Sequence, residues 1–110
     1  MRFLSRPEEL ILLAVWHLKD NAYCVPIRAY LNKFTGKTWS FGSIYDPLDR
    51  LEKKGLLESH LSGPTRTRGG RSKRMFRLSP AGRLELCEIK ALQECMWNEV
   101  TDLVPERQEA

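Results

Sequence analysis

Apolar residues recur at helical spacing in the first part of the chain. Residues 10–16 are apolar on almost every side of a helix, and Ser5-Arg6-Pro7-Glu8 before them has the form of a capping box. This pattern predicts a central helix over about residues 6–19. A second stripe, at i, i+3, i+4 and i+7 from Ile27, predicts another helix over about residues 26–34.

A third helix is predicted between Ser40, a candidate N-cap, and Gly55, a glycine stop. Ile44, Leu48 and Leu51 would form its buried face. The helix contains Pro47, which removes one backbone hydrogen bond. Because the apolar spacing continues past this proline, we expect a bent or loosely wound beginning and not a break.

Two short strands are predicted next. Residues 56–61 are too few for another helix, and residues 74–78 alternate between polar and apolar side chains. Residues 62–73, which we call the wing, contain glycine, proline and arginine and predict the tip of a hairpin. Ser79-Pro80 then begins a fourth helix that we expect to reach about Leu103.

The fourth helix carries two apolar seams that lie well over 100° apart around its axis. One seam consists of Leu84, Cys87, Ala91 and Cys95. The other, which we expect to form a dimer interface, consists of Ile89, Leu92, Met96, Val100 and Leu103. A small domain does not need two apolar faces on a terminal helix, so one can face the domain and the other a partner subunit.

This order of elements predicts a mainly α fold with a small β-hairpin, the winged helix-turn-helix. In that arrangement the third helix enters the major groove of DNA and the wing lies over the backbone. We assign residues 1–79 to a DNA-binding domain, residues 80–104 to a C-terminal dimerisation helix and residues 105–110 to a flexible tail.

Charge is strongly segregated along the 110 residues, although the formal net charge is only +4. Residues 61–83 carry seven bases and no acid, whereas residues 84–110 carry two bases and seven acids. A stretch of cations without anions attracts a polyanion such as DNA. A solvated basic loop is the alternative explanation.

Nine residues are candidates for DNA contact, because hydroxyl groups and cations bind phosphates and base edges. They are Ser40, Ser43, Tyr45, Arg50 and Lys53 in the third helix, and Arg66, Arg68, Arg71 and Lys73 in the wing. Three alternatives stay open: Ser40 can act only as a cap, Tyr45 can belong to the core, and the two helical cations can form a solvated face.

Other features are weaker. Trp16 and Trp97 are candidates for an effector pocket, with burial at a dimer interface as the alternative. Cys87 and Cys95 lie about 12 Å apart along one helix, so they cannot bridge within the chain; across a dimer they could pair, or they are small buried thiols. Neither metal-ligand spacing nor a nucleophile–base signature is visible, so we expect no metal, no cofactor and no enzymatic activity.

The composition is that of an ordinary globular domain. The longest apolar run, residues 10–16, is far shorter than the roughly 20 residues that span a bilayer, and the beginning of the chain lacks the apolar core of a signal peptide. Three widely spaced cysteines do not make a disulfide framework. We therefore expect a soluble cytoplasmic protein.

Two segments together resemble the PadR family of bacterial transcriptional regulators. Residues 41–56, FGSIYDPLDRLEKKGL, resemble the recognition-helix segment, and residues 69–83, GGRSKRMFRLSPAGR, resemble the wing and the start of the final helix. The likeness covers about residues 8–100. Tyr45-Asp46-Pro47 departs from the commoner adjacent tyrosine and proline, and Met75 stands where an aromatic residue is usual.

The resemblance implies a homodimer joined through the C-terminal helix with help from the first helix, acting on an imperfect palindrome in double-stranded DNA. It implies repression, and release by a small aromatic or hydrophobic effector near the dimer interface. The single C-terminal helix suits the compact subgroup of the family. The alternative is a winged-helix module that binds protein or RNA without sequence-specific DNA binding.

Overall fold

The computed structural model describes residues 3–63 and 72–103. Its helices and strands, in chain order, are α1 (Arg6–Leu18), a 3₁₀ turn (Lys19–Asn21), α2 (Cys24–Thr35), α3 (Phe41–Lys53), β1 (Leu57–Leu61), β2 (Arg74–Leu78) and α4 (Pro80–Trp97). This order confirms the winged helix-turn-helix that the sequence predicts.

The predicted capping box begins α1. Ser5 Oγ accepts from the Glu8 N–H at 3.3 Å, and Glu8 Oε1 accepts from the Ser5 N–H at 2.9 Å. The helix buries Ile11, Leu12 and Val15 in the core. Its opposite side stays half exposed, so the nearly continuous apolar pattern of α1 serves one buried face and one that lies open in the single chain.

Glu8 also joins α1 to the end of α3. Its carboxylate is buried, and Oε2 accepts from Lys54 Nζ at 2.7 Å and lies 3.7 Å from Arg50 Nε. Burial raises the pKa of Glu8, but the hydrogen bonds from Lys54 and Ser5 outweigh it and hold the pKa below its usual value. The buried charge is therefore paired.

α2 begins two residues earlier than the sequence predicts, at Cys24. Pro26 then lies in its first turn, where no N–H has an intrahelical partner, so a proline is tolerated there as well as at the first position. Gly36 ends the helix in the left-handed conformation, at φ 71°.

α3 follows the prediction closely. Ser40 caps it, with Oγ accepting from the Ser43 N–H at 3.1 Å, and the helix runs through Pro47 without interruption. Ile44, Leu48 and Leu51 are completely buried against the rest of the core. The free energy lost with one backbone hydrogen bond at Pro47 is smaller than the free energy gained by burying this apolar face.

The hairpin is antiparallel, with Leu57 opposite Leu78 and Ser59 opposite Phe76. Phe76 and Leu78 are buried, and the Phe76 N–H donates to the Ala22 carbonyl at 2.8 Å, which joins β2 to the segment after α1. Residues 64–71, most of the wing, lie outside the described residues.

α4 ends at Trp97, about six residues before the predicted end at Leu103. The prediction was wrong because apolar spacing continues after the backbone has left the helix. Asn98 is the C-cap with non-helical angles, and Glu99 takes a positive φ of 67°. Val100 and Leu103 therefore follow the helix and do not extend its seam.

The beginning of α4 is fixed to the backbone before β1. Ser79 Oγ accepts from the Gly82 N–H at 3.0 Å and donates to the Gly55 carbonyl at 2.6 Å, while the Ser79 N–H donates to the Leu56 carbonyl. Gly82 is the one buried residue of the helix. A Cβ there would overlap the Leu56 carbonyl oxygen, so this contact requires glycine.

We predict that Gly82→Ala lowers the free energy of unfolding by about 1–3 kcal/mol, because the methyl group meets backbone that cannot rotate away. Urea unfolding monitored by circular dichroism measures the change. Gly42→Ala is the matched control: it lies in the first turn of another serine-capped helix, and its Cβ meets open space. Equal losses in the two variants would contradict the prediction.

Candidate nucleic-acid interface

The exposed side of α3 begins with two hydroxyl groups. Ser40 Oγ accepts a capping bond and can still donate its own hydrogen outward. Ser43 Oγ donates to the Ser40 carbonyl at 2.7 Å, which leaves its lone pairs facing solvent. Ser40 therefore acts as a cap, and both hydroxyls also lie on the exposed surface of α3 that the sequence predicts to contact DNA.

Tyr45 is both exposed and attached to the core. Its side chain is 44% exposed, and its hydroxyl forms a hydrogen bond with the buried thiol of Cys24 in α2. Burial raises the pKa of the Cys24 thiol, and the hydrogen bond from Tyr45, which lowers it, is the weaker effect. Electrostatic interaction with Cys24, and then burial, raise the pKa of Tyr45. Both groups are thus held neutral, and the pair joins α2 to α3.

The two predicted cations of α3 differ in their surroundings. Arg50 is drawn toward the buried Glu8 carboxylate, 3.7 Å away. Lys53 is exposed at the last turn of the helix. Lys53 is therefore the better placed of the two for a phosphate contact.

An ion network that sequence analysis missed joins α3 to β2. Arg74 Nη1 donates to Asp49 Oδ1 at 2.7 Å, and Nη2 donates to Glu52 Oε1. The hydrogen bond to Asp49 contributes most to raising the pKa of Arg74, and the bond from Ser59 contributes most to lowering the pKa of Glu52. Strand alternation puts Arg74 on the same face of the hairpin as Phe76. No pattern in the neighbouring sequence indicates that Arg74 pairs with Asp49 and Glu52.

Of the four predicted wing cations, the structure describes Lys73. Its Nζ lies 4.5 Å from the centre of the Tyr23 ring, within cation–π distance, and 3.4 Å from the Tyr23 hydroxyl. The base of the wing is thus held against the start of α2. Arg66, Arg68 and Arg71 lie outside the described residues.

Two open grooves line α4. The first, between α1 and α4, has a volume of about 690 Å³ and contains Leu13, Trp16, Leu86 and Ile89 in its wall. The second, of about 500 Å³ beside the end of α4, is lined by Met96, Trp97, Val100 and Leu103. The structure therefore puts the two candidate effector tryptophans in different grooves. Of the predicted seam, Ile89 lines the first groove, whereas Met96, Val100 and Leu103 line the second.

The cysteines of α4 are exposed in the single chain, and Cys87 lines the first groove. No group of three potential metal ligands occurs within residues 3–63 and 72–103. None of the helices in those ranges has the length and apolar composition that a membrane span requires.

α3 is capped by a serine, buries one side in the core and lies beside a hairpin whose wing is basic in sequence. This arrangement defines a winged-helix DNA-binding protein. The model of the transcriptional regulator PadR-like family matches residues 12–88. The chain therefore belongs to the PadR-like family and is a DNA-binding transcriptional regulator.

Solved structures agree with this assignment. A PadR-like transcriptional regulator from Bacillus cereus is 25% identical, with a TM-score of 0.71, over 91% of this chain and 92% of that one. A PadR family transcription regulator from Clostridium difficile is 28% identical, with a TM-score of 0.67, over 87% and 94%. A transcriptional regulator from Clostridium thermocellum shares the fold at 19% identity, with a TM-score of 0.69 over 89% and 92%. Comparison with curated proteins gives no match.

We predict that Arg74→Gln weakens binding to every DNA duplex by about 5- to 10-fold at low salt, because two carboxylates on α3 lose their cation and repel phosphates. Fluorescence anisotropy with labelled duplex measures this. Arg77→Gln is the matched control, since Arg77 lies on the same strand and pairs with Glu58, which is not on α3. Adding Asp49→Asn to Arg74→Gln should recover part of the loss, and equal losses in the two single variants would contradict the prediction.

Proposed function

We propose that this protein is a homodimeric transcriptional repressor of the cytoplasm that binds a palindromic operator and is released by a small hydrophobic or aromatic effector. One observation carries the proposal: α3 buries its apolar side completely and presents hydroxyl groups and cations on the other. This is the arrangement with which a recognition helix enters the major groove.

Ser40, Ser43 and Tyr45 are proposed to contact phosphates and base edges from the beginning of α3, and Lys53 and Arg50 to contact phosphates from its end. Arg66, Arg68, Arg71 and Lys73 are proposed to bind the neighbouring backbone or the minor groove. The position of Lys73 at the base of the hairpin, beside Tyr23, supports the assignment of the wing residues to the neighbouring backbone or minor groove.

A second copy of the chain is proposed to cover the apolar side chains of α4. Met96 is 71% exposed, and Leu92, Trp97, Val100 and Leu103 are exposed as well. An apolar surface of this kind on a small protein marks an interaction site. Leu13 and Trp16 on α1 support a contribution from the first helix.

The effector is proposed to bind in the groove between α1 and α4. Its wall is mostly apolar, with Trp16 on one side and Ile89 on the other, and Arg83 and Lys90 at its edge can pair with an anionic group. Trp97 would contribute only if the partner subunit brings it to this groove.

We expect the protein to select an operator from a random duplex pool and to bind it about 10³-fold or more tightly than random duplex at physiological salt. Arg68→Ala combined with Arg71→Ala should weaken both kinds of binding and reduce the slope of log K against log salt by about 2. The matched control replaces Lys33 and Lys90, which lie off α3 and the wing. An operator affinity equal to that for random duplex would contradict the repressor proposal, and tighter binding to RNA would favour an RNA-binding module.

We predict that Met96→Glu converts the dimer into monomers in sedimentation velocity, because the dimer would bury two new charges without partners. The folded chain should be unaffected, since the side chain is solvent-exposed. Leu61→Glu is the matched control, because Leu61 is 70% exposed on the hairpin and should leave the dimer intact. A Met96→Glu protein that sediments as a dimer would show that this part of α4 is not the interface.

A further inference from the structure

The acidic residues of α3 differ in whether they form ion pairs and hydrogen bonds with the rest of the fold. Asp49 and Glu52 both pair with Arg74 of β2, and Glu52 also accepts from Ser59. Asp46 is exposed and forms neither a hydrogen bond nor an ion pair with any residue in ranges 3–63 and 72–103. The Asp46 carboxylate is therefore not neutralised by any residue in those ranges, and it lies on the helix that is proposed to approach a polyanion.

Helix geometry aims Asp46 away from the core. Successive residues turn by about 100° around a helix axis. The buried face of α3 is centred between Ile44 and Leu51, and Asp46 lies about 150° from that centre. Gly42, one turn earlier, and Lys53, two turns later, lie on the same outward line.

Gly42 provides a second, independent observation on this line. Its backbone is not in the left-handed region, and a Cβ added to it would meet nothing within 4 Å. The fold therefore does not require glycine here, although glycine costs up to about 1 kcal/mol in a helix. Glycine therefore leaves the outward side of α3 without a side chain one turn before Asp46.

We propose that Asp46 is a specificity-determining residue that selects cytosine by accepting a hydrogen bond from its N4 amino group in the major groove. The inference rests on the proposed operator binding. A carboxylate close to phosphates is unfavourable unless a base donor compensates it. Guanine O6 and N7 and thymine O4 are acceptors and repel it.

Adenine is the remaining base with a donor, and it suits the carboxylate less well. Its N6 amino group stands beside the N7 acceptor, whose lone pair faces the second carboxylate oxygen. Cytosine presents its N4 donor beside a C–H group, which does not repel an anion. The chemistry therefore favours cytosine, while an amide at the same position would favour adenine through a bidentate bond.

The test selects operators from random pools with the intact protein, with Asp46→Asn and with Asp46→Ala, and then measures affinity for duplexes that carry each base pair at the position concerned. The wild type should prefer cytosine at one position per half-site by about 5- to 150-fold. Both variants should lose that preference, Asp46→Asn should prefer adenine there, and both should bind random duplex more tightly at low salt. Asp102→Asn, beyond the end of α4, is the control for the charge change and should keep the cytosine preference.

Two different failures are distinguishable. If the wild type selects an operator and both Asp46 variants keep every base preference while binding all duplexes more tightly, Asp46 only repels phosphate and the inference is overturned. If the wild type selects no operator, the proposed function fails and the inference fails with it. Thermal unfolding of each variant, which should match the wild type because Asp46 is exposed, confirms that the fold is retained.

Discussion

The proposed DNA-binding surface depends on the burial of one side of α3. Ile44, Leu48 and Leu51 are entirely withdrawn from water, and each buried side chain of this size stabilises the fold by about 1.5–3 kcal/mol. Rotating the helix about its axis by even a third of a turn would expose them. The direction of every other side chain on α3 is therefore fixed by apolar contacts in which the polar residues take no part.

Charge pairs then reduce the freedom of α3 on its two flanks. Glu8 of α1 draws Arg50 and Lys54, whereas Arg74 of β2 draws Asp49 and Glu52. The two clusters have opposite polarity, so α3 offers cations to one neighbour and anions to the other. Its formal charge thus says little about the charge that a ligand meets, because most of its ionic groups are already paired within the fold.

Local patterns predicted the fold well because local interactions form it. The serine caps at Ser5, Ser40 and Ser79 and the turn at Gly55 each act within a few residues, and all are present in the structure. The end of α4 was missed because Val100 and Leu103 continue the apolar spacing, while the helix ends at Trp97 through non-helical backbone angles at Asn98 that hydrophobicity does not report.

The candidate site was predictable only in part, for a different reason. Residue type and helix register identify Ser40, Ser43 and Lys53 as surface groups that can contact DNA. Arg74 meets partners more than 20 residues away in sequence, and such a pairing follows from how the hairpin packs on α3. Its consequence, that Asp49 and Glu52 are paired while Asp46 has no partner within residues 3–63 and 72–103, cannot be read from the order of the residues.

The attachment of α4 connects the DNA-binding surface to the proposed dimer. Gly82 packs directly on the Leu56 backbone, which lies between the end of α3 and β1, and Ser79 bonds to Gly55 and Leu56. Backbone-to-backbone contacts of this kind allow little adjustment. In a dimer joined through α4, the distance between the two copies of α3 would be set at this junction. A change there would alter half-site spacing while leaving in place every side chain that is proposed to contact DNA.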